Sequence, residues 1–175
     1  MTIVFRATDD FMARVRKDLS RDHPFAHERV GFITVRAIST SEQLVLFAQD
    51  YEPVSDSDYL RDDSVGAMIG QEALRKALEI ALLHPVGVFH VHQHLFSKRL
   101  WFSHTDLREQ LRFVPDFFKV RPNMPHGAIV LNPLAAAGRA WVSGNKIEHI
   151  AEFNTIGARV DVSRSTNDGS VDFYA

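Results

Sequence analysis

The segment Gly87–Leu107, GVFHVHQHLFSKRLWFSHTDL, carries four of the chain's nine histidines, His90, His92, His94 and His104, and brings Asp106 close behind them. The stretch that leads into it, Val86 to His92, is a short apolar run of the kind that forms a strand buried on both faces. Successive side chains on a strand point to opposite faces. His90 and His92 therefore emerge on one face, about 7 Å apart at Cα for a rise of roughly 3.3 Å per residue. Two imidazoles so placed can share one metal ion, while Val91 between them turns into the core. His94 continues the alternation, so the pair is not unique; a strand that ends by Gln93 frees His94 from that face. His104 falls in the first turn of a helix and reads as solvent-facing.

A tetrahedral catalytic zinc takes three protein ligands and keeps a fourth position open for water. The chain has no cysteine, so every donor must come from His, Asp or Glu. Asp106 is the best third donor, because Ser103-His-Thr-Asp opens a helix just after the loop that follows the strand. The same Ser-x-x-Asp also reads as a capping box, which needs no metal. An activated water needs a general base that reaches it without binding the ion. Glu28, at the head of the strand Glu28-Arg-Val-Gly-Phe-Ile-Thr-Val, is the strongest offer; the alternative is a solvated glutamate at a strand end.

The elements that must position these residues follow from periodicity. Thr2 to Arg6 reads as a strand. Thr8 then caps a helix whose Met12, Val15 and Leu19 share a face. Arg29–Ile38 and Gln43–Tyr51 read as a hairpin, and Glu52–Ser64 as a surface loop. A helix is expected over Gly66–Leu83, stopped by Pro85, and another from Ser103 to about Pro115 with Leu107, Leu111 and Val114 inward. Strands follow at Gly127–Leu131, Arg139–Ser143 and Lys146–Phe153. Strands interleaved with three helices imply an α/β sandwich with a mixed β-sheet. Residues 1–165 are expected to form one domain, and 166–175 a polar tail that frays.

Composition narrows the function classes. The chain has 175 residues, 45% of them apolar, and a formal charge of −2. That length suits a single domain, and that charge supplies no basic field for nucleic acid. No apolar stretch reaches membrane-spanning length and the N-terminus lacks a signal-peptide pattern, so a cytoplasmic, non-membrane protein is expected.

Glu28-x-x-Gly31, then a helix, then a strand ending His90-x-His92, then Ser103-x-x-Asp106 resembles the JAMM/MPN (JAB) zinc metalloprotease family, over roughly Met1 to Asn132. The resemblance implies the cytidine-deaminase-like sandwich of that family. It also implies one zinc held by His90, His92 and Asp106, with Glu28 as general base and Ser103 helping to stabilise the tetrahedral intermediate. Two departures stand out. Val91 and Gln93 replace the family's usual Ser or Thr between the histidines and Pro after them, and His92 to Asp106 spans fourteen positions where eleven is common.

Family members cleave after the C-terminal glycine of ubiquitin or a ubiquitin-like protein. Compact prokaryotic relatives, some in conjugation operons linked to phage defence, are the nearer match in size. The implied activity is an isopeptidase or peptidase acting on a ubiquitin-like protein or its conjugate. The alternatives are a metal-dependent hydrolase of a small amide and a non-catalytic MPN scaffold. Phe89, Leu95, Trp101 and Phe102 are expected to wall the cleft, with Trp101 and Phe102 against the substrate tail. Lys98 and Arg99 are expected to meet acidic groups on the partner.

Overall fold

A computed structural model describes residues 1–94 and 99–172. Its strands are β1 (Thr2–Thr8), β2 (Val30–Ser39), β3 (Gln43–Pro53), β4 (Tyr59–Leu60), β5 (Met68–Ile69), β6 (Gly87–Gln93), β7 (Arg99–Leu100), β8 (His126–Leu131), β9 (Ala136–Ser143), β10 (Lys146–His149), β11 (Glu152–Ile156), β12 (Val160–Arg164) and β13 (Val171–Asp172). The helices are α1 (Asp9–Leu19), α2 (Gln71–Leu83) and α3 (His104–Val120). Nine strands form one mixed sheet in the order β10-β9-β8-β6-β2-β3-β1-β11-β12. The chain is thus α/β, with a large mixed sheet and three helices.

The sheet is curled. β10 and β11 are consecutive in sequence yet lie at opposite ends of the strand order. Only Ile150 and Ala151 join them, and these two residues donate to Gly138 O and Ile3 O, 2.9 Å each, so the far ends of the sheet come together there. Ile150 is buried in the core that results. This is why the run read as one strand, Lys146–Phe153, divides: its middle must leave one edge and start another.

Parity along β6 sorts the layers. Phe89 and Val91 join Phe11, Met12, Val15 and Leu19 of α1 in the core on one face. Val88 packs on the other face with Ala73, Ala77 and Ala81 of α2 and Phe117 of α3. Small residues on α2 let that helix lie close to the sheet. β6 itself is central, antiparallel to β2 and parallel to β8.

Three boundaries differ from the expected ones. α2 begins at Gln71, because Met68–Ile69 pairs with Tyr59–Leu60 and Gly70 N donates to Asp58 O at 2.7 Å. α3 runs on to Val120 with Pro115 inside it. An interior proline costs about 3 kcal/mol of helix propensity, and the burial of Val114 and Phe117 on either side offsets that cost. The region Glu52–Ser64 is a loop in part only. β3 extends to Pro53 and a 3-10 turn covers Asp56–Asp58. The Tyr59 hydroxyl accepts from Val30 N at 2.8 Å, which ties this region to β2.

The polar end of the chain is also engaged. Val171–Asp172 pairs with Arg99–Leu100, and Ser170 and Val171 are buried. Arg99 Nε donates to Ser170 Oγ at 2.7 Å, and the guanidinium also meets Asp168. Residues 173–175 lie outside the described residues. A two-residue strand is too short to show as an alternation in the sequence.

His126, at the start of β8, titrates with a predictable sign. Val88 N donates to its Nδ1 at 3.1 Å, so its Nε2 carries the proton and donates to Arg121 O at 3.0 Å. Burial lowers its pKa from 6.5 to about 4. Between those values the unfolded chain binds a proton that the folded chain does not, so stability falls as pH drops through this window. The unfolding free energy from urea titrations should therefore decline from about pH 6.5 to about pH 4, by up to roughly 3 kcal/mol for this group. The decline should be shallower in His126→Gln, which does not titrate.

Candidate metal centre

The register between β2 and β6 decides which histidines meet the acidic residues. Val30 lies opposite His92 and Phe32 opposite His90. Continued by two residues, this antiparallel register sets Glu28 opposite His94. β6 ends at Gln93, and His94 is held there by its N–H donating to Leu131 O at 2.8 Å. His94 therefore stays with the strand end, although it lies just outside the strand.

At this end Glu28, His92 and His94 each offer a ligand atom, all within 4.8 Å of one another, and the three could hold a metal ion. His92 Nε2 and His94 Nε2 are 3.2 Å apart. Asp106 Oδ2 approaches both, at 3.4 Å from His92 Nε2 and 3.6 Å from His94 Nε2. Glu28 Oε1 lies 3.9 Å from His94 Nε2. His92 is almost wholly buried, while His94, Glu28 and Asp106 line the opening.

His90, expected as a ligand, is not in this group, although its ring centroid lies 5.5 Å from that of His92. It lies two residues deeper on β6, edge-on to Phe32 and Phe113 with ring centroids 5.7 and 5.3 Å away, and its Nδ1 is buried without a partner. Burial and the neighbouring His92 push its pKa down to about 3. The alternation that puts His90 and His92 on one face also includes His94. The end of the strand, set by pairing with β2 and β8, determines which two of the three meet the carboxylates.

Asp106 serves two ends at once. Its Oδ2 accepts from Ser103 N at 2.7 Å while Asp106 N donates to Ser103 Oγ at 3.1 Å, a complete capping box at the start of α3. Burial raises its pKa, but the bond from His92, the charge of His92 and the bonds from Ser103 hold it well below the usual carboxylate range. His94 is shifted toward its neutral form by burial and by His92, against the pull of Glu28 and Asp106. A neutral imidazole and an ionised carboxylate are the forms that bind metal.

The donor set fits a borderline divalent cation such as zinc. Two imidazole nitrogens and carboxylate oxygens converge with no thiolate, the set expected of catalytic rather than structural zinc. His92 Nε2 and His94 Nε2, 3.2 Å apart, can share a proton according to their tautomers, and a bound cation would take that proton's place. His104 is exposed on the first turn of α3.

The wall of the opening differs from the expected one. Phe89 has the opposite parity to the histidines and faces α1. Phe102 is buried, its ring 6.0 Å from His92, so it backs the imidazole. Trp101 packs on Phe102 and on His149, with centroids 5.0 and 5.3 Å away. Arg99 is engaged with the C-terminal segment. Leu95 and Lys98 lie outside the described residues.

Two features around Glu28 were not anticipated. Arg29 is 3% exposed, pairs with Asp56 at 2.6 Å and donates to the carbonyls of Arg21 and Asp22, which anchors the segment entering β2. Gly66 O accepts from both His27 N and Glu28 N. A Cβ at Gly66 would fall 2.6 Å from Glu28 Cδ. Gly66→Ala should thus cost little stability, since the side chain it meets can move, yet displace the carboxylate. Urea unfolding of this variant should stay within about 1 kcal/mol of the wild type, as for a substitution that only moves the end of a flexible side chain. A buried arginine beside Glu28 was legible only as a charge within an apolar run.

No family model matches this sequence, and no curated protein matches it.

Proposed function

We propose that the chain is a zinc-dependent isopeptidase or peptidase of JAMM/MPN type, cleaving after the C-terminal glycine of a ubiquitin-like protein. The observation that carries this reading is the convergence of Glu28, His92, His94 and Asp106 at the ends of two antiparallel strands beside the start of α3. His92, His94 and Asp106 would hold the ion. The pair His92-x-His94 replaces the pair His90-x-His92, and it brings the distance to Asp106 to twelve positions, nearer the family's eleven.

Bound zinc would supply polarisation of a scissile carbonyl and acidification of a water. Glu28, opposite His94 and at the edge of the group, is placed to accept a proton as general base and to give one to the departing amine, which leaves poorly unless protonated. Ser103 Oγ already accepts from Asp106 N, so its own proton is free to be donated to the oxyanion. Burial of His92 and its backing by Phe102 limit water on the inner side of the site.

The test is cleavage of a panel of ubiquitin-like fusions ending in glycine, with and without chelator. Chelator-sensitive release of the mature glycine terminus supports the reading. Turnover of small amides alone would replace it with a small-molecule hydrolase, and metal binding without turnover of either would leave a scaffold.

A further inference from the structure

On the opposite face of the sheet from the histidines, the space between α1 and the curled sheet holds a cavity of about 180 Å³. Phe5, Met12 and Phe153 give it an apolar floor. Its wall follows the register: Phe5 pairs with Phe153 and Phe153 with Ser163, Ala7 with Thr155 and Thr155 with Asp161, so these side chains face it together. Arg16 of α1 projects into the same space.

The guanidinium of Arg16 is the unexplained feature. Its Nε donates to Asn132 O at 3.1 Å, and among the described residues its two terminal nitrogens have no hydrogen-bonded or ion-paired acid. Burial disfavours its charged form, offset in part by Asp9. A half-buried cation lining a pocket with Phe5 and Phe153, its terminal nitrogens unused, suits a carboxylate that bonds it in bidentate fashion. Asp161, the one acid on the wall, sits 3.2 Å from Arg159 Nε and is already paired. Size restricts the rest of the ligand. A dry cavity near 150 Å³ accepts benzene, whereas drug-sized ligands need roughly 300 Å³ or more.

We propose that this cavity binds a small monocarboxylate with a ring-sized apolar body, the carboxylate on Arg16 and the body on Phe5, Met12 and Phe153. Thr155 and Ser163 also line the cavity and bring hydroxyl donors to the same ligand. This site is separate from the metal centre and does not depend on the reading given to that centre.

The test uses phenylacetate as probe, with phenylacetamide and phenethylamine as controls of like shape. Amide shifts in heteronuclear NMR spectra of the full chain locate the binding. Phenylacetate should shift Ala135, Thr155 and Ser163 saturably and bind roughly tenfold or more tightly than either control, the loss expected when a charge-assisted bond is removed. Arg16→Met should abolish that preference. Because Arg16 also holds Asn132, a second variant is needed: Ser163→Trp, on the edge strand, fills the mouth without touching that bond and should block binding in a folded chain. Equal binding of the amide or the amine would overturn the proposal. So would undiminished binding in Ser163→Trp, or shifts confined to His92 and His94.

Discussion

His94→Ala is expected to leave the purified chain almost without metal, from about one zinc per chain in the wild type, because a three-ligand site that loses one imidazole retains little to hold the ion. His92→Ala should do the same. His90→Ala should keep the metal and instead lower stability, since it removes a ring packed against Phe32 and Phe113. Metal analysis of the three variants after identical purification checks this. Retention in His94→Ala together with loss in His90→Ala would restore the deeper pair as ligands, and would require β6 to shift relative to Asp106. The distinction is sharp because His92 Nε2 and His94 Nε2 are 3.2 Å apart and share one carboxylate, Asp106.

Glu28→Gln should retain zinc and lose hydrolysis by a factor of roughly 10² to 10⁴, the usual contribution of a positioned acid-base group. The amide keeps the shape of the side chain, and with it the packing against Gly66, but it cannot accept a proton. Metal loss in this variant would make Glu28 a ligand, a role its 3.9 Å distance from His94 Nε2 brings within reach of a small movement. Unchanged turnover would remove it from the reaction. Paired assays of zinc content and product release on the same preparation separate the three outcomes.

Much of the candidate centre could be read from residue types and spacing. Alternating histidines, Ser103-x-x-Asp106 and Glu28 at the head of a strand are local patterns, and each depends only on the two- or four-residue periods of the backbone. The choice between His90 and His94 is not local. It depends on where β6 stops, and that is set by its pairing with β2, about fifty to sixty residues away in sequence, and with β8, about forty away. The same limit explains Phe89, an aromatic beside the histidines that faces α1 through strand parity. It explains Val171 too: after the polar run 166–170 too few residues remain to set a period, and only the partner Leu100 makes Val171 part of a strand. Pro115 misled in the opposite direction, a strong local signal outweighed by buried neighbours on both sides.

The measurement that bears most directly on the central claim is an anomalous-difference map at the zinc edge from crystals of the chain grown with zinc. One peak is expected at roughly 2.0–2.2 Å from His92 Nε2, His94 Nε2 and an Asp106 carboxylate oxygen, the distances of ordinary zinc sites, with Glu28 near the ion but not bound to it. A peak bound to His90, or no peak at this strand end, would contradict the account.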